Sequence, residues 1–322
     1  MINYTSIQNI TPTLMEWGKI KIGRKGKWVR DKFQAPEKLK HFLITTMERG
    51  EDGNYIIDEQ LMNLHMEKQG VDELKKIPIS FLYNDPFLNF QSCYQCYDGN
   101  TKWCYGNGKE AQRLNNENTY ETVQCPCERV LPEFAGTDGK GKGKCKATGR
   151  MNCLIAGAEK IGGVWMVRSA GFNSVRNIQS TLLLTHRMAG GILAGLPFWL
   201  TVSPKSIIIP TTKKPGISYV LNLHFEGSRV ELMKQAYEIA HVEAENKIKI
   251  ETIESETRKL LIQEQRETIE NQEEYVEEFF PEEVTEKVEP EEKEKPPEEK
   301  KPVEVDEPPK IEAPKDNKFD LF

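Results

Sequence analysis

Hydrophobic and polar positions divide the chain into a strand-rich body, a helical stretch and a polar tail. In the body, the patterns at 39–46 and 55–57 predict strands, and 59–69 predicts a helix with Leu61, Leu64 and Met66 on a rough apolar face. A buried strand at 77–83 ends at Asn84-Asp85-Pro86. Segments 90–97 and 101–105 flank Asp98-Gly99-Asn100, a hairpin signal, and 119–124 is a further strand. Residues 132–144 read as a loop, with strands after it at about 149–157 and 164–170. Asn173 or Ser174 would cap a helix reaching about Ala189, with Val175, Ile178, Leu182 and Thr185 on one face and Gly190-Gly191 closing it. Segments 198–202 and 207–209 are strand-like, and 217–225 carries the clearest alternation. The fold class predicted is α+β with a mainly antiparallel β body, a pattern compatible with an OB-like arrangement.

From Ser228 the period turns helical and runs to about Glu278, with Val230, Met233, Tyr237 and Ala240 at helical spacing. Eight prolines among Glu and Lys between Pro281 and Pro314 cannot bury a core, so this segment is read as disordered. The organisation expected is therefore a body over 1–227, a long helix over 228–280 and an acidic tail over 281–322.

Charge changes the picture. The chain carries a net −6, but residues 251–322 hold 25 acidic and 11 basic side chains, a net −14 that leaves about +8 for the rest. A basic body with an acidic tail points toward nucleic-acid partnership. Residues 18–40 concentrate Lys19, Lys21, Arg24, Lys25, Lys27 and Arg30 around Trp28, with Gly18, Gly23 and Gly26 predicting turns or an arm. Such residues neutralise phosphates while a ring stacks on a base; a solvated loop with Trp28 in the core is the plainer alternative. Lys140, Lys142 and Lys144 form a second candidate phosphate-contacting loop, and Tyr94, Trp103 and Tyr105 crowd one hairpin as a stacking platform or a plain core. The run after Met1 is polar, and the 17-residue uncharged run 188–204 is broken by Gly and Pro, so no leader and no membrane span are expected, and the compartment expected is cytoplasmic.

All seven cysteines lie between Cys93 and Cys153. An odd count without a secretion signal favours reduced thiols and metal over disulfides. Cys125-Pro126-Cys127 with Cys145 and one further thiolate could surround a structural Zn²⁺. Cys104, at the end of a hairpin strand, is the preferred fourth ligand. Cys153, in an apolar strand, reads as a small buried side chain, and Cys93-x-x-Cys96 is the rival first half of a site, although strand positions three apart point to opposite faces; either could replace Cys104 as the fourth ligand. Four thiolates leave no position for water, the five histidines are scattered, and no phosphate-binding loop has the right spacing, so no enzyme is expected.

An order of short motifs over about 18–225 resembles the phage and mobile-element family of recombination-directionality-factor-like proteins. The motifs are 36–42 (Pro-Glu-Lys-Leu-Lys-His-Phe), 104–113 from Cys104 to Arg113, Cys125-Pro-Cys-Glu128, Cys145, 163–168, 173–178 and 190–198. The resemblance implies a metal-stabilised, non-enzymatic protein that in some relatives switches a serine integrase from integration to excision. It also supports Cys104, Cys125, Cys127 and Cys145 as ligands. The end of the chain, Phe319-Asp320-Leu321-Phe322 after an acidic run, looks instead like the tail of single-strand-binding proteins, which recruits replication or recombination partners. The leading expectation is thus a zinc-containing single-stranded-DNA-binding protein of phage DNA metabolism. A directionality factor acting on an integrase by protein contact is the alternative, and a zinc hydrolase the third reading.

Overall fold

A computed structural model describes residues 14–24, 27–29, 32–34, 37–127, 145–158, 160, 162–208, 215–246, 250–263, 275–276 and 278–279. The strands are β1 (Met15–Arg24), β2 (Lys27–Val29), β3 (Lys32–Gln34), β4 (Glu37–Arg49), β5 (Tyr55–Ile57), β6 (Lys76–Ser80) and β7 (Phe90–Asp98). Then follow β8 (Thr101–Gly106), β9 (Glu110–Leu114), β10 (Tyr120–Gln124), β11 (Lys146–Ile155), β12 (Gly163–Ser169), β13 (Phe198–Ile208) and β14 (Pro215–His224). The helices are α1 (Glu59–Gln69), α2 (Pro86–Asn89), α3 (Phe172–Met188), α4 (Arg229–Glu245) and α5 (Ile250–Gln263). The mixed α+β character follows the patterning.

The main sheet runs β10-β9-β8-β7-β11-β12-β1-β4-β5. Neighbours along it are antiparallel except β1 and β12, which are parallel. At Leu154 and Ile155, β11 also pairs with β6, which continues to β13 and β14. This is an open, branched path rather than the closed five-stranded barrel of an OB fold. The apolar core lies on one face, where Ile20, Ile44, Met151, Cys153, Trp165 and Val167 join Val175, Ile178 and Leu182 of α3 and Phe198 and Leu200 of β13.

Alternation sends the other side chains of the same strands to the back face. Directly paired residues share a face. Lys19 pairs with Thr45 and Met166, Asn152 with Met166, Arg150 with Arg168, Thr148 with Cys93, and Lys146 with Gln95. The back face is therefore polar and strongly basic, and much of it is buried: Lys19, Thr45, Gln95, Thr148 and Arg168 are all inaccessible.

Three expectations are corrected. The basic stretch beginning at Gly18 is not an arm of turns: its first part is β1, an internal strand between β12 and β4. The helical region is two helices: α4 opens on a capping box between Ser228 and Glu231 and ends at Asn246 before α5. On α4 the stripe at Val230, Met233 and Tyr237 faces solvent, while Leu232 and Ala236 are buried and Ile239 packs beside them on the core. The tail 281–322 lies outside the described residues, and no helix among those described is long and apolar enough to cross a membrane.

Gly18 marks the tightest backbone approach in the sheet. A Cβ there would stand 1.8 Å from the Thr45 carbonyl oxygen and 3.1 Å from Trp165 Nε1. The obstacle is backbone of the neighbouring strand and cannot swing away. Gly18→Ala is expected to destabilise the body by about 1–3 kcal/mol or more, read as a lowered urea midpoint with an unchanged slope.

Candidate functional site

The cysteines are positioned by the three-hairpin arm β7–β8–β9–β10. After Asp98↔Thr101 and Tyr97↔Lys102, a bulge shifts the register so that Cys96 lies opposite Cys104. Cys104 in turn lies opposite Arg113 on β9. Strand β10 runs back along β9 to Gln124, where the chain turns and the Cys125 amide donates to the Lys109 carbonyl at 2.9 Å. That bond fastens Cys125 to the β8–β9 turn. Cys96, Cys104 and Cys125 are buried in one cluster with Ala111, and Trp103, Val123 and Cys145, just before β11, pack on it.

Cys127 completes a convergence of five thiols. Its Sγ accepts from Arg113 Nη2 at 3.5 Å, and the guanidinium lies 4.7 Å from the Trp103 ring. Burial pushes the Cys104 thiol up, opposed by the hydrogen bond and charge of Arg113. Cys145 is pushed far up, first by burial and then by Cys96, Cys104, Cys127 and Cys125. Crowded thiols resist ionisation unless a cation joins them. Among the described residues, however, no three His, Cys, Asp or Glu side chains stand in a metal-holding arrangement.

The remaining two cysteines are elsewhere. Cys153 is wholly buried in the core, its thiol donating toward the Trp165 carbonyl at 3.6 Å. Cys93 is on the back face, its Sγ 3.7 Å from Thr148 Oγ1. Cys96, which the sequence offered only together with Cys93 as a rival first half of the site, lies at this cluster while Cys93 does not. The turn by itself predicts Cys96 opposite Trp103, and only the bulge places it against Cys104.

Among the described residues, several of those expected to contact nucleic acid are engaged with partners inside the fold. Lys19 Nζ donates to Tyr55 Oη at 2.8 Å and sits 4.4 Å from that ring, where Lys21 and Arg49 also gather. Lys21 pairs with Glu278 at 3.6 Å. Trp103 lies under Arg113, and Tyr105 meets Tyr120 edge-on at 5.4 Å, with Lys102 5.7 Å from the Tyr105 ring. Tyr94 is half-buried, and Arg24 is exposed at the end of β1. Lys27 and Trp28 fall on the short strand β2. Lys25, Arg30, Lys140, Lys142, Lys144, Phe319, Asp320, Leu321 and Phe322 lie outside the described residues.

A family model described as Gp3-like, recombination directionality factor-like, matches residues 17–226. The chain belongs to this family. Comparison with curated proteins and with solved structures finds no significant match. The Gp3-like match begins within β1 and ends just past β14, so it spans both sheets, α3 and the cysteine arm, and excludes α4, α5 and the tail. In this Gp3-like body Arg113 holds the arm together by two kinds of contact, one to the Trp103 ring and one to the sulfurs of Cys104 and Cys127. Arg113→Met removes both while keeping much of the aliphatic bulk. It is expected to cost about 1–3 kcal/mol, with a shift in Trp fluorescence at the start of unfolding.

Proposed function

We propose that this chain is a non-enzymatic accessory factor of phage-type DNA recombination that works in the host cytoplasm by protein contact on a serine integrase, favouring excision. The observation that carries this reading is the Gp3-like match across the whole double-sheet body. The burial of Lys19 and Lys21 against Tyr55 and Glu278 supports protein contact over a single-stranded-DNA groove, because those cations already have partners inside the fold. In the test, purified protein and a cognate serine integrase meet reporter DNA carrying either the two original sites or the two hybrid sites. Added protein is expected to suppress integration and permit excision while binding poly-dT only weakly at low salt. Tight, steeply salt-dependent poly-dT binding with no effect on integrase direction would restore the single-stranded-DNA reading.

We further propose that the cysteine arm is stapled by one structural zinc ion held by Cys104, Cys125, Cys127 and Cys145. The donor set supports this: five converging thiols, with Cys125, Cys127 and Cys145 on turns or strand flanks and Cys104 inside β8 rather than at the strand end expected, and a guanidinium donating to one sulfur. Bound there, zinc would supply folding energy rather than catalysis. Freshly purified reduced protein is expected to hold about one zinc per chain. Cys125→Ser and Cys127→Ser should lose the ion and melt at lower temperature, whereas Cys96→Ser should keep it. Metal analysis showing no zinc, or loss of zinc in the Cys96 variant with retention in the Cys127 variant, would refute this ligand set.

A further inference from the structure

Residues 275–276 and 278–279 lie beyond the family match, yet they are seated on the body's basic back face. Tyr275 and Val276 are 3% and 0% exposed and form a buried cluster with Tyr97, itself 0% exposed, and with Phe279. The Tyr275 ring stands 5.7 Å from the Tyr97 ring and 4.9 Å from the Phe279 ring, and the Arg168 guanidinium is 5.5 Å from its centroid. Glu278 pairs with Lys21, and the Phe279 carbonyl accepts from Lys146 Nζ at 2.5 Å. Four strands, β1, β7, β11 and β12, thus each contribute a contact to the four described residues Tyr275, Val276, Glu278 and Phe279. Beside this segment the face continues as Arg150, which donates to Glu16 at 3.1 Å. Asn152 Oδ1 and the second Glu16 oxygen are buried there without a hydrogen-bond partner among the described residues.

We propose that the back face is a docking surface for an acidic, aromatic-bearing peptide of a partner protein, and that residues 275–279 are a built-in copy of that ligand which keeps the face closed. The recognition is of peptide kind. One anchor is a branched aliphatic side chain with no exposed surface, and one contact is to a main-chain carbonyl; a phosphodiester strand offers neither. Charge sets the class of peptide: lysines and arginines line the face, and the occupant brings Glu278. A tethered copy acts at about millimolar effective concentration, so a partner peptide of micromolar affinity is excluded until the tethered copy lets go. The inference rests on the protein-contact reading only for who the partner is; the surface and its occupant stand or fall without an integrase.

The test uses the full chain and a fluorescein-labelled peptide of residues 271–283, followed by anisotropy. Wild type is expected to bind weakly, and Tyr275→Ser with Phe279→Ser to bind at least about tenfold more tightly, because the competing tethered copy is removed. Lys21→Glu with Lys146→Glu in that background should abolish binding. Glu278→Lys leaves both rings in place and serves as a second opening variant, expected to shift in the same direction by a smaller factor. Equal binding by wild type and both opened chains, or binding by none of them, would overturn the proposal. Displacement of the peptide by poly-dT would also overturn it, reassigning the surface to nucleic acid. Tight peptide binding alongside an unaffected integrase would instead sink the proposed function and leave the docking surface standing.

Discussion

A single strand, β11, belongs to both sheets, and the rest of the structure depends on that sharing. Along its first part β11 lies between β7 and β12; at Leu154 and Ile155 it turns to pair with β6. Backbone amides and carbonyls buried in the middle of a protein must be paired. A strand with partners on both edges and at its end can only alternate between two environments. Met151, Cys153 and Ile155 go into the apolar core, while Lys146, Thr148, Arg150 and Asn152 go to the back face. The same strand begins one residue after Cys145, so it also fixes where the cysteine arm meets the body.

The arm and the back face are joined by one irregularity. Strand alternation sends two consecutive residues to different tasks, Cys96 to the thiol cluster and Tyr97 to the Tyr275 ring, and the bulge between them sets Cys96 against Cys104. Bulges re-aim side chains in this way and are common beside functional sites. Loosening the thiol cluster would therefore be felt at the Tyr97 wall, with only one peptide unit between them.

Buried cations are costly unless carboxylates, hydrogen bonds or aromatic faces replace water. The back face uses all three: Tyr55 under Lys19, Lys21 and Arg49; Glu16 against Arg150; Glu278 against Lys21. On this face Lys19, Lys21 and Arg150, which composition alone would count toward an open groove, have partners inside the molecule.

Local physics made much of this protein legible in its sequence. Helical period and turn chemistry placed α1 at its observed bounds, the hairpin around Asp98-Gly99-Asn100, and the alternation of β14, since each depends on residues a few positions apart. Alternation was also present in Lys19-Ile20-Lys21-Ile22, where charge masked a strand pattern. The burial of Cys153 and the opposite facing of Cys93 and Cys96 followed from strand period as well. Tertiary structure alone decided the pairing of Cys96 with Cys104, because a bulge changes register without leaving a local signature. It alone decided which stripe of α4 is buried and that Tyr275, Val276, Glu278 and Phe279 return to β1, β7, β11 and β12. Contacts between residues more than a hundred positions apart depend on how whole faces fit, and periodicity reports only that a face exists, not what will cover it.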